Sequence, residues 1–193
     1  MNTIVTSPRA PASQESLYPL TEFYARYGRA LPTVTAVEGC DVPEPYHSLL
    51  VHRRDMTPTL EDFYGCDIHL EILHREQVGD LYFRQVVLRL NDSDRAVEFG
   101  ANKIRLDFYP PEIRDLILAE HLPLGHILKA FGLPHTSLPQ AFLRVESDAF
   151  INQSLGLVAR EELYGRRNTL RDPLGRPLSE IVEILAPPGT RAE

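Results

Sequence analysis

The run Asp67–Phe108, DIHLEILHREQVGDLYFRQVVLRLNDSDRAVEFGANKIRLDF, decides the fold. Ile68, Leu70 and Ile72 alternate with His69, Glu71 and Leu73, the two-residue period of a strand, which predicts one strand over about 67–76. Gln77-Val78-Gly79-Asp80 reads as a turn. LYFRQVVLRL, residues 81–90, is dense in β-formers; Asn91-Asp92-Ser93-Asp94 then turns the chain, and Val97–Phe108 resumes as a third strand. Strands joined by turns this short pair as an antiparallel meander.

On the N-terminal side of this core, Leu20, Phe23, Tyr24 and Tyr27 share one helical face over residues 19–28, with Gly28 as the stop. Pro45–Val51 predicts a second, short helix with Tyr46, Leu49 and Leu50 turned inward. Thr57 precedes Pro58 as an N-cap precedes a first-turn proline, and Glu61 and Asp62 follow where the helix dipole favours negative charge. A third helix over about 58–64, ending at Gly65, is therefore predicted. On the C-terminal side, Tyr109-Pro110-Pro111-Glu112 opens a helix to about His121, and Leu124–Phe131 forms another between Pro123 and Gly132-Leu133-Pro134. The remaining strand candidates are residues 141–146, 155–160, 165–170 and 178–185. The sum is an α+β protein: an antiparallel sheet of about six strands with its helices gathered on one side.

Composition narrows the function classes. A chain of 193 residues, 43% apolar and 24% charged, suits one globular domain, expected over residues 17–187 with flexible tails at 1–16 and 188–193. A formal net charge of −7 offers no global attraction for phosphate backbones, and the pairs Arg53-Arg54 and Arg166-Arg167 are too short to change that. Residues 1–45 hold no basic helix-turn-helix, so no nucleic-acid partner is expected. No segment approaches 18 apolar residues, so no membrane partner is expected, and a cytoplasmic location follows by default. Cys40 and Cys66 lack metal-ligand spacing and read as reduced, partly buried thiols. The sequence assigns no oligomeric state.

Phosphate-cradling glycine loops, nucleophile elbows and HExxH pairs are absent. The histidine pairs His47/His52 and His121/His126 are five residues apart, a spacing that does not stack them on one helix face, which argues against a metal site. Arg84 is more informative, because it shares a strand face with Tyr82 and Val86 in an apolar segment. It is either an edge arginine paired with a surface carboxylate or a pocket arginine that grips a carboxylate ligand bidentately. Glu183, in Ile181-Val182-Glu183-Ile184-Leu185, is its acidic counterpart, with Glu180 and Glu98 as unranked competitors. A carboxyl in such a place can accept a ligand hydroxyl or, if burial raises its pKa, act as an acid or base.

Taken in order, Asp55-Met56-Thr57, Tyr82-Phe83-Arg84, Pro123-Leu124-Gly125, a basic turn at Tyr164-Gly165-Arg166-Arg167 and the closing Gly175-Arg176-Pro177, Glu183 and Pro187 carry a family likeness. Over about residues 46–187 the chain resembles the chorismate lyase (4-hydroxybenzoate synthase) family. That resemblance implies a sheet whose helices enclose an internal ligand site. It implies a small-molecule carboxylate ligand bound by Met56, Thr57, Arg84, Leu124, Gly125 and Glu183. Arg84 and Glu183 would be catalytic: the arginine and the backbone amides of Met56 and Leu124 cradle the ring carboxylate, and the glutamate meets the hydroxyl-bearing carbon. Loss of pyruvate from chorismate would yield a hydroxybenzoate, with aromatisation as the driving force and neither a metal nor an organic cofactor. One departure stands out: the family's second arginine has Ala101 or Asn102 nearest in register here, with Lys103 and Arg105 as substitutes only if the register shifts. The alternatives are a relative that binds or transforms another small aromatic or polyketide-like acid, and a non-catalytic ligand-binding or interaction domain. In the ligand-free version of the latter, Arg84 and Glu183 pair across the sheet. The same fold also forms the effector-binding half of some transcription regulators.

Overall fold

The computed structural model describes residues 12–188. Its strands are β1 (Thr33–Val37), β2 (Ile68–Val78), β3 (Leu81–Leu90), β4 (Ala96–Arg105), β5 (Thr136–Glu146), β6 (Glu162–Arg171) and β7 (Pro177–Leu185). They form one seven-stranded antiparallel sheet in the order β1-β5-β6-β7-β4-β3-β2. The meander β2-β3-β4 follows the alternation of its sequence, and β7 returns to pair with β4, so the last strand lies at the centre of the sheet.

The helices of the described residues are α1 (Leu20–Arg26), α2 (Tyr46–Leu50), α3 (Met56–Tyr64), α4 (Pro111–Ala119), α5 (Leu124–Ala130) and α6 (Ala149–Leu155). The two-residue strand period sorts them by face. Phe99, Ala101, Val182 and Ile184 pack with Leu20, Phe23 and Tyr24 of α1 and with Ile151 and Leu155 of α6. Their neighbours in sequence face the other way, where α2 and α3 meet Leu88 and Leu185, and α4 and α5 meet Tyr82, Ile104 and Ile181. The second face, roofed by α2–α5, carries Arg84, Glu98, Arg166 and Glu183.

Several element boundaries differ from expectation, each for a local reason. Residues 155–160 are not a strand: Asp148 accepts a hydrogen bond from the Ile151 amide and caps α6, which ends at Gly156 with φ +71°. Residues 106–108 leave the sheet as a 3₁₀ turn. β1 was not foreseen, although its Thr-Val-Thr-Ala-Val run suits an edge strand. The strand candidate at 165–170 is the middle of β6, so Tyr164–Arg167 is not the turn named in the family likeness. Helix α3 begins at Met56, with Asp55 in the capping position and Thr57 buried inside the first turn. Asp55 does not cap through its side chain; its Oδ2 pairs with His135 Nε2 at 2.8 Å.

Of the expected N-terminal tail, Gln14–Leu17 form a 3₁₀ turn. Residues 1–11 and 189–193 lie outside the described residues. No helix among the described residues is long and apolar enough to cross a membrane. Cys40 and Cys66 are free, the former exposed rather than partly buried.

Candidate functional site

Strand register builds the floor of the site in ranks. Asn168, Ile181, Asn102 and Arg84 lie side by side across β6, β7, β4 and β3. The next rank is Arg166, Glu183, Gly100 and Val86, and the one after it holds Leu185, Glu98, Leu88 and Leu70. The starts of α3 and α5 form the roof, with Met56 and Thr57 from one and Leu124 and Gly125 from the other. A Cβ on Gly125 would lie 3.2 Å from the Thr57 side chain, so glycine there lets the two helix starts close on each other. Floor and roof border a partly open cavity that leaves about 50 Å³ in which a water-sized molecule can be centred. That is room for roughly three to five waters, or one small organic molecule.

Arg84 dominates the cavity. It is 1% exposed, and among the described residues it makes no ion pair and its Nε and Nη1 have no hydrogen-bond partner. Burial pulls its pKa down, opposed by the fields of Tyr82, Glu120 and Tyr109. Glu120 does not neutralise it by contact, since its oxygens are engaged by Tyr82 and Arg75. An arginine stays charged under such conditions, and an unpaired buried charge costs several kcal/mol, so the arrangement asks for an anion beside it.

Glu183 also borders the cavity but is not free: Arg166 Nε donates to its Oε2 at 2.5 Å. Arg166 is fully buried and spends its remaining donors on roof carbonyls, with Nη1 to Leu50 at 3.2 Å and His52 at 3.2 Å, and Nη2 to Arg54 at 3.1 Å. Glu98 has no such partner. It is 4% exposed and its Oε2 is unpaired; burial first, then the adjacent Glu183, push its pKa well above the usual carboxylate value, with Arg166 opposing. The neutral acid is thereby favoured. Asp55 Oδ1 and Asn168 Oδ1 are also buried without a partner, so five such atoms converge on this one cavity.

All six residues expected at the site, Met56, Thr57, Arg84, Leu124, Gly125 and Glu183, border the same cavity. The pairing of Arg84 with Glu183 does not occur, because Arg166 holds the glutamate. Asn102, and not a cation, lies opposite Arg84; Lys103 and Arg105 point elsewhere, to Glu180 and Asp107. Sequence reasoning missed Arg166 and Asn168, and left Glu98 unranked. The available signal was the polar run Arg166–Thr169 inside a strand, which sends alternate side chains to opposite faces.

No family model matches the sequence, and no curated protein matches it. Solved structures do match. PhnF from Mycobacterium smegmatis is 14% identical with a TM-score of 0.53, over 98% of this chain and 92% of that one. The likeness is one of fold. The effector domain of PhnF, solved alone, is 13% identical with a TM-score of 0.51, over 68% of this chain and 87% of that one. The possible transcriptional regulator YydK from Bacillus subtilis is 11% identical with a TM-score of 0.48; 63% of this chain matches 59% of that one.

These findings correct the expected membership in the chorismate lyase family. Structures that share the fold include PhnF and its effector domain, and the cavity has the wrong charges for chorismate. Chorismate is a dicarboxylate, whereas Arg84 is the one cation lining the cavity without a carboxylate partner among the described residues. A second carboxylate would meet Asn102, Glu98 and an already paired Arg166–Glu183 couple. The lyase reaction, with pyruvate and a hydroxybenzoate as products, is therefore withdrawn.

Proposed function

We propose that this chain binds a small monocarboxylic acid in the cavity between sheet and helix starts, as a ligand-sensing domain without chemistry of its own. The observation that carries this reading is the buried, unpaired guanidinium of Arg84 bordering a cavity. A carboxylate there would accept a charge-assisted hydrogen bond from Nε or Nη1, the two orphaned donors, with Nη2 completing the fork, and relieve the cost of the lone charge. The first-turn amides of α3, at Met56 and Thr57, have no intrahelical partner and lie on the same cavity, where the positive end of the helix dipole adds to the attraction. Leu124 and Gly125 close the space from the other side, and Glu183 acts through Arg166 by keeping the floor charge-balanced. Likeness to a fold known from an effector domain supports a sensing role.

The test is calorimetric titration and thermal denaturation of the chain with pentanoate, benzoate and glutarate. The monocarboxylates are expected to bind and raise the melting temperature, glutarate to do so more weakly, and Arg84→Met to remove the response to all three. A response that survives Arg84→Met, or none from the wild-type chain, would overturn the reading.

A further inference from the structure

The far end of the cavity holds a group that carboxylate binding leaves unused. Glu98 is on β4, two residues before Gly100 on the same face, and its side chain folds back over that glycine: a Cβ on Gly100 would lie 3.0 Å from Glu98 Oε1. Gly100 thus provides the space into which the carboxyl group leans. The direction of the lean is toward Asn102 and Arg84, the next rank along the floor. Ranks on one face are separated by two strand residues, about 7 Å. One oxygen of Glu98 is buried without a partner, and the residue borders the same cavity as Arg84.

The charge balance fixes the chemistry of this group. Arg166 is the cation beside Glu98 and is committed to Glu183 and to roof carbonyls, so a second carboxylate at this end would stand unpaired beside a first. A buried acid next to a carboxylate keeps its proton. It then carries one O–H, and a buried O–H seeks an acceptor. Val86 and Leu88, its neighbours on β3, offer none through their side chains.

We infer that the Glu98 carboxyl donates a hydrogen bond to an oxygen at the far end of the bound acid, so that the cavity selects short oxo-acids over plain aliphatic acids of equal length. This rests on the reading that Arg84 holds the carboxylate. The ligand then has two recognised ends, an anion at Arg84 and a carbonyl oxygen at Glu98. A second carboxylate is rejected at the same point, because it would face Glu98 and Glu183 without a free cation.

The matched probes are 4-oxopentanoate and pentanoate, which differ by one carbonyl oxygen, titrated calorimetrically against the wild-type chain, Glu98→Gln and Glu98→Leu. The wild-type chain is expected to prefer 4-oxopentanoate by about tenfold, the worth of one buried hydrogen bond. Glu98→Gln, which keeps an N–H donor, should retain most of the preference, and Glu98→Leu should erase it. Equal binding of the two acids by the wild-type chain overturns the inference while leaving Arg84 as the anchor, and needs no variant to be folded. Preference that persists in Glu98→Leu overturns it as well. If neither acid binds, the carboxylate site itself falls, and the inference falls with it.

Discussion

Arg84 and Glu98 are both buried in states that cost the ligand-free chain stability, and each can be tested by an isosteric neutral replacement. Arg84→Met removes an uncompensated charge and keeps the aliphatic stem, so the ligand-free variant should be more stable than the wild type by about 1–2 kcal/mol in urea unfolding. A destabilised, otherwise native variant would mean that the guanidinium is already paid for by the protein. For Glu98 the sign follows from linkage. Its folded pKa lies above the ordinary 4.5, so the folded chain holds a proton that the unfolded chain releases as pH rises past that value. The wild type should therefore lose stability between pH 4.5 and the raised folded value, and Glu98→Gln should not, so urea melts of the two must diverge with rising pH. Parallel curves would refute the buried neutral acid. Arg84 was legible in the sequence because an arginine in an apolar strand is conspicuous, whereas Glu98 was not: its role depends on Gly100 and on Arg166 being claimed by Glu183, and neither is a local property.

At the scale of elements, period-two alternation was sufficient for β2, β3 and β4, and proline and glycine punctuation for α4 and α5. It failed where a side chain overrode the pattern. Asp148 turns an apolar stretch into α6, and β6 is polar along its middle because both of its faces carry ion pairs, Arg166–Glu183 on one and Arg167–Glu180 on the other. β6 and β7 approach so closely that a Cβ at Gly165 would sit 2.3 Å from the Glu183 carbonyl oxygen. The contact is with backbone, which cannot rotate away, so Gly165→Ala should cost about 3 kcal/mol or more and lower the denaturation midpoint accordingly. A change below about 0.5 kcal/mol would show that the two strands can part without penalty.

Across the whole molecule, Arg166 joins parts that are far apart in sequence: β6, β7 through Glu183, and the α2–α3 connection through Leu50, His52 and Arg54. Arg166→Met leaves Glu183 buried without its cation and three roof carbonyls without a donor, a loss of about 3–5 kcal/mol. Adding Glu183→Leu to that variant should restore part of the loss, and the double-mutant cycle by urea unfolding gives the coupling. Strict additivity would mean that the two residues do not act as a pair. None of this long-range wiring could be read from spacing alone, since Arg166 is separated from its carbonyl partners by more than a hundred residues.

The seam between Gly125 and Thr57 has a temporal consequence. Most side chains around the cavity are buried, and the Gly125–Thr57 contact lies on its border. Were this seam the way in, a ligand would wait for the starts of α3 and α5 to separate, and the same event would precede its departure. Association should then run below the roughly 10⁵–10⁷ M⁻¹s⁻¹ of unobstructed docking. In stopped-flow mixing the observed rate should level off as the acid concentration rises, with the plateau reporting how often the seam opens. A rate that climbs linearly throughout would mean that the door stands open.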